Sequence, residues 1–385
     1  MDAAMTYQSR RTFIASAAIA TAAAPGLFKA AFGAAASRTR VFVASNGADG
    51  NGILAYDWDT EKGELAPAGV GAALATVDWL TFSHAHDYVY AACEIRSFQG
   101  KPTGEVASYR LQEGKLTQLS ARNAASVGTC HIAVDHTGGM AISADYGGGS
   151  AASYKITDGV LSEAAWTEHY TGHGPVVGHQ ETAHAHFTSF SPDNRFAYIN
   201  DLGADCIHIY KPDPATANMT PAGTYHAAVG SGPRTLHFHP NGKTAYCMNE
   251  LASTVDVLTW NKADGSLTLV NRIALLPDSY KGPTSACDTV ISRDGRFVYF
   301  ANRGDSSIYA FHADPKTGSL TRLGQYNCGG KTPRNFVLDP TEKWMLVANQ
   351  DSGWISVFAR NPETGLVAAE GKNFPAAKPM CILFA

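Results

Sequence analysis

Pro233-Arg234-Thr235-Leu236-His237-Phe238-His239-Pro240-Asn241-Gly242-Lys243-Thr244-Ala245-Tyr246-Cys247-Met248-Asn249-Glu250 reads as two short strands joined by a tight turn. Asn-Gly supplies the positive φ that such a turn needs, so His239-Pro240-Asn241-Gly242 reverses the chain between Pro233–Phe238 and Thr244–Met248. Asn249-Glu250 ends the second strand. Outward from this pair, Thr254 to Trp260 is a third strand. Asp264-Gly265 then turns into a fourth, near Ser266 to Arg272.

The same grammar recurs. Phe187 to Tyr210 turns at Ser191-Pro192-Asp193-Asn194, Cys287 to Phe311 at Ser292-Arg293-Asp294-Gly295, and Arg334 to Phe358 at Asp339-Pro340-Thr341-Glu342. Val77 to Glu94 and Cys130 to Tyr154 repeat it earlier. The closing pairs are Asn46-Gly47, Cys93-Glu94, Asp145-Tyr146, Asp201-Leu202, Asn249-Glu250, Asn302-Arg303 and Asn349-Gln350. A spacing of about fifty residues with several strands per repeat predicts an all-β fold, a seven-bladed β-propeller of four-stranded antiparallel blades. Val41 to Ser45 and Met380 to Phe384 are expected to share one blade, closing the ring and removing open edges. The Gly-rich Tyr146 to Gly149 is a close-packed turn near the channel rather than a phosphate loop, because no helical pattern follows it.

The propeller is expected over residues 37–385. The first 36 residues carry Ser9-Arg10-Arg11-Thr12-Phe13-Ile14, an Ala-rich run and a small-residue end at Ala34-Ala35-Ala36. That pattern predicts a twin-arginine export signal cleaved after Ala36, with a periplasmic mature protein. The apolar run, broken by Thr21, Pro25 and Lys29, is too weak for a membrane span, so no membrane insertion of the mature protein is expected. A net charge of −4 with 17% charged residues gives no electrostatic reason to expect a nucleic-acid partner. Seven cysteines are scattered singly, without CxxC or zinc-finger spacing, and read as buried thiols.

Strand direction sorts the polar residues. In an up-and-down blade, first-strand starts and second-strand ends share one face of the ring, next to its axis; the turns between them lie on the other. His184, His186 and Arg234 fall at first-strand starts, and Glu250 and Arg303 end second strands. A histidine, a carboxylate and two guanidiniums make an acid–base and anion-binding set, although mutual pairing across a wet channel would place the same groups there. His131, Arg334 and Asn335 also begin first strands and are candidate substrate contacts, as is Glu94. Glu94, Asp145 and Asp201 together are an alternative oxygen-ligand set for Ca²⁺ or another divalent cation. His169, His173 and His179 belong to a connection, Thr167 to Thr182, that overhangs the mouth. His237 and His239 look structural, as do Gln350 and Asp351.

His184-Ala185-His186, Asp201-Leu202-Gly203, Gly232-Pro233-Arg234 with His239-Pro240-Asn241-Gly242, Asn249-Glu250-Leu251, Asn302-Arg303-Gly304 and Pro333-Arg334-Asn335-Phe336 with Ala348-Asn349-Gln350 occur in that order. With Asp145 to Gly149, this set resembles the seven-bladed propeller lactonase family, which includes a bacterial 6-phosphogluconolactonase and the carboxy-muconate lactonizing enzyme, a cyclase. The resemblance spans essentially all of residues 37–385. It implies functional roles for His186, Arg234, Glu250 and Arg303, the four that strand polarity selects. Ala185 stands where the family usually has Pro, and Asp145 where it usually has Asn, so the cavity lining is adapted.

The resulting expectation is an exported lactonase, 6-phosphogluconolactonase-like, that opens a sugar-acid or related lactone, the substrate being a small lactone or carboxylate. His186 or Glu250 would activate water, and Arg234 and Arg303 would hold an anionic substituent and the developing oxyanion. The scheme needs no cofactor or metal. A muconate-type cyclase, running the ring chemistry the other way, and a non-catalytic ligand- or partner-binding propeller are the alternatives.

Overall fold

The computed structural model describes residues 39–47 and 52–385; the proposed export signal lies outside them. They form seven sheets of four strands each, every sheet antiparallel. Among the described residues there is no helix, and so none long and apolar enough to cross a membrane.

Blades two to seven are continuous stretches: 77–123, 129–169, 185–226, 233–274, 286–327 and 333–375. Blade one is composite. Its inner strand Pro379–Phe384 pairs antiparallel with Thr39–Ser45, which leads into Gly52–Asp59 and Glu64–Ala72. The ring therefore closes as the two chain-end strands predicted. The blade quoted above runs Pro233–Phe238, Thr244–Asn249, Thr254–Trp260 and Leu267–Ala274. Its second strand runs one residue past the sequence reading, and its fourth departs from that reading only at its ends. Gly242 sits at φ +65 in the first turn, and the Asn241 side chain accepts the Lys243 and Thr244 amides at 2.9 and 3.0 Å.

Burial explains which strands the sequence shows clearly. The second strands of blades five and six, Thr244–Asn249 and Phe297–Asn302, are buried at every residue, as expected for a strand packed on both faces. The fourth strands form the rim; Leu267–Ala274 is exposed along most of its length. Seven apolar clusters fill the wedges between neighbouring blades. One of them joins Tyr198 and Ile207 of blade four to Leu236 and Trp260 of blade five. The cores thus lie between the sheets.

Candidate active site

Two backbone features, repeated in every blade, build the site. First, the residue just past each second strand donates its amide to the residue before the first strand: Glu94 to Thr76, Tyr146 to Gly128, Leu202 to His184, Glu250 to Gly232, Arg303 to Ser285, Gln350 to Thr332 and Asn46 to Lys378. These residues form a rim. Second, the pairing of each inner strand slips after its first residue, as where Pro233 faces Asn249 but Thr235 faces Met248. The skipped residue is a β-bulge, which re-aims its side chain. The bulge residues are Asp78, Cys130, His186, Arg234, Cys287, Arg334 and Met380. All but Cys287 line a narrow throat.

Rim and throat meet at Glu250. One carboxylate oxygen lies 2.9 Å from Arg234 Nε, and the other accepts Arg303 Nη2 at 2.5 Å. Burial alone would raise this carboxyl's pKa, but Arg303 and Arg234 outweigh it, so Glu250 is held below its ordinary value and stays ionised. The Arg234–Glu250 contact is a charge contact and lacks hydrogen-bond alignment at Nε; Arg303 Nε is buried with no partner. Both guanidiniums therefore keep N–H groups for another acceptor. Across the throat Arg334 pairs with Asp78 at 3.1 Å. Glu94 behaves oppositely to Glu250: burial and the neighbouring Asp78 push it up to about 7 despite Arg334 and Arg96. Three carboxylates thus face three guanidiniums, and the proton on Glu94 sets the balance.

His186 is buried to 7% exposure. Burial, then Arg234, Arg334 and Arg303, hold its pKa well below the usual imidazole value, so the ring is neutral near pH 7. His184 is fixed: its Nδ1 lies 2.8 Å from the Tyr146 carbonyl, and its ring stacks on Tyr146 at 4.4 Å. The connection between blades three and four is pinned by Gln180, which donates to the Leu202 carbonyl at 2.8 Å and to Asp205 at 2.9 Å.

Residues 35–384 match the family described as the seven-bladed beta-propeller lactonases. The chain belongs to that family. It is 30% identical to the 6-phosphogluconolactonase of Bacillus subtilis over 336 residues, 86% of this chain and 94% of the relative. It is 32% identical to that of Formosa agariphila over 327 residues, 82% and 90% of the two chains. The periplasmic gluconolactonase of Pseudomonas aeruginosa superposes with a TM-score of 0.85 at 29% identity, covering 90% of this chain and 99% of that one.

Around this lactonase throat the remaining sequence-predicted residues separate. His131 lies deeper, between Trp79 and Phe187 at ring distances of 4.6 and 3.9 Å. Its Nδ1 is 3.1 Å from Thr188 Oγ1. Asn335 uses its whole amide between blades, donating to Asp288 at 2.7 Å and accepting the Ile382 amide at 2.9 Å. His239, expected to be structural, meets the Gly295 carbonyl with Nε2 at 2.8 Å; His237 Nε2 is buried 3.8 Å from Asp288 and makes no hydrogen bond. The oxygen-ligand set is not assembled. Among the described residues Glu94 and Asp145 belong to no group of converging ligand atoms, and Asp201 converges with Cys206 and His208 instead of with them. Asp145 instead caps its own blade, accepting from Thr129 at 2.6 Å, Ser150 at 2.9 Å and the Ser126 amide at 3.0 Å. Its Gly-rich neighbour is as tight as predicted: a Cβ on Gly149 would lie 2.4 Å from the Ala183 carbonyl oxygen.

Asp78 is the site residue that sequence reasoning does not single out. Its signal was positional: Asp78 follows Val77 as Arg234 follows Pro233 and Arg334 follows Pro333. A concavity of about 640 Å³ lies away from the axis between blades seven and one, lined by Trp344, Arg360 and Pro362. It holds no set of ionisable groups comparable to that of the throat.

Proposed function

We propose that this chain is an exported lactonase that opens an anionic sugar-acid lactone at the throat. The observation that carries the proposal is Glu250 clamped between Arg234 and Arg303, with N–H groups of both guanidiniums left over. Glu250 holds the two arginines in place before substrate arrives, which is the preorganisation that stabilises a developing oxyanion. Arg334, braced by Asp78, is placed to take the carboxylate or phosphate substituent. Glu94 is the group poised to accept a proton near neutrality, so it, rather than the clamped Glu250 or the depressed His186, is the proposed general base. Water attacks the lactone carbonyl carbon as its proton passes to Glu94. The carbonyl π pair moves onto oxygen beside Arg234 and Arg303. Collapse then breaks the ring C–O bond, and the leaving alkoxide takes the proton back from Glu94.

Relatives named 6-phosphogluconolactonase support the reaction class. The periplasmic gluconolactonase supports an exported lactonase, in keeping with the arginine pair and Ala-rich run of the first 36 residues. The deciding experiment assays residues 37–385 against phosphorylated and unphosphorylated aldonolactones and muconates. Glu250→Gln and Arg303→Ala are each expected to lower kcat/KM on a lactone by about 10²–10³-fold. Muconate turnover alone would favour the cyclase, and no turnover at all a binding propeller. Variants matching wild type would remove the site assignment.

A further inference from the structure

Outside the throat, Asp201, Cys206 and His208 each direct one ligand atom at a common point. Topology puts them there. Asp201 ends the second strand of blade four and Cys206 opens the third, directly opposite it, so their side chains share a face. His208 returns to that face two residues on. His208 Nε2 lies 3.5 Å from Asp201 Oδ2 and 3.5 Å from Cys206 Sγ. Asp201 is fully buried. Its Oδ1 accepts the His184 and Ala204 amides at 2.8 and 3.0 Å, while Oδ2 makes no hydrogen bond. Tyr170, from the end of blade three, stacks on the His208 ring at 4.0 Å and fixes its plane.

The arrangement is not a nucleophile–base–acid relay. A relay needs the carboxylate on one imidazole nitrogen and the thiol on the other; here both approach Nε2. A metal ion requires the opposite, all donors converging on one centre. Bonds of about 2.3 Å to sulfur and about 2.0–2.1 Å to nitrogen and oxygen, at tetrahedral angles, give donor–donor edges of about 3.3–3.6 Å. The two distances in the structure fall in that range.

We infer that Asp201, Cys206 and His208 bind one divalent transition-metal ion of the zinc class. A thiolate, an imidazole and a carboxylate suit such an ion and disfavour Mg²⁺ and Ca²⁺, which take oxygen donors. The fourth position falls to water or to His226, which faces Cys206 from the fourth strand on the same side of the sheet. Binding forms the sulfur–metal bond and releases the Cys206 proton to solvent. A thiol must lose its proton to coordinate, so loading strengthens as pH rises. Because the same carboxylate holds the His184 amide, a bound ion would brace the loop leading to His186. The inference is independent of the lactonase reading.

The test is Co²⁺ titration of chelator-stripped full-length protein. The expected result is one cobalt per chain with thiolate-to-cobalt charge-transfer absorption, reversed by zinc, and a zinc-dependent rise in Tm. Cys206→Ser should abolish the charge-transfer band, and His208→Gln should weaken cobalt binding by about 100-fold or more. Glu250→Gln should bind cobalt as wild type does, which separates this site from the throat. Absence of the band in wild type overturns the inference, as does a Cys206→Ser or His208→Gln protein, folded by circular dichroism, that binds cobalt unchanged.

Discussion

Glu94 and Glu250 are one residue type at one position of the repeat, three blades apart, yet they hold their protons differently. Burial pushes both upward; Asp78 adds to the push at Glu94, whereas Arg303 and Arg234 reverse it at Glu250. Neighbours rather than position assign the roles. A base must be ionised to accept a proton, so lactone turnover should rise with pH through about 7, the value of Glu94. Glu94→Gln should remove that limb from the kcat profile and lower kcat by about 10²–10⁴-fold; an unchanged profile would return the role to His186 or water. The sequence shows that a glutamate stands at both of these rim positions. It does not show the charges that neighbouring repeats bring alongside, because Asp78 lies 256 residues from Arg334. For the same reason Asp201 is legible as a strand end but not as a partner of Cys206 and His208.

At the scale of the strand, the inner-strand bulge converts a packing element into a presenting one. In blade five Gly232 prepares it. At φ +65, with an added Cβ only 2.6 Å from Leu251 Cγ, it is a position where glycine is required. Its amide donates to Asp205 at 2.8 Å and its carbonyl receives the Glu250 amide at 2.7 Å. Gly232→Ala is therefore expected to cost about 1–3 kcal/mol, read as a lowered Tm, together with reduced kcat/KM as Arg234 and Glu250 separate. A variant as active and stable as wild type would show that the clamp does not depend on this turn. Inner and second strands were legible because turn residues bracket short runs of mostly apolar residues. The fourth strand was blurred at its ends, since a rim strand exposed along most of Leu267–Ala274 carries little apolar pattern. The bulges themselves leave no mark on composition. They show only when the pairing is written out.

For the whole molecule, the composite blade decides whether a ring exists. Removing residues 379–385 would expose the edge of Thr39–Ser45 and strip Met380, Cys381 and Ile382 from the cores on either side. Such a truncation is expected to lose cooperative melting and to become sensitive to limited proteolysis; a truncated protein melting as wild type does would mean that the blades stand without closure. The fold was open to sequence reading at this scale because repetition averages over the uncertainty of each strand. The composite blade also has a consequence for synthesis. Its inner strand is the last of the twenty-eight to leave the ribosome, yet it sits between blades seven and two at the axis. A nascent chain can stack six blades but has no finished throat, so Asp78 and Arg334, on either side of the gap, would meet only once Pro379–Phe384 has emerged. Catalytic competence would then wait on the closing strand, and a chain lacking it would be inert.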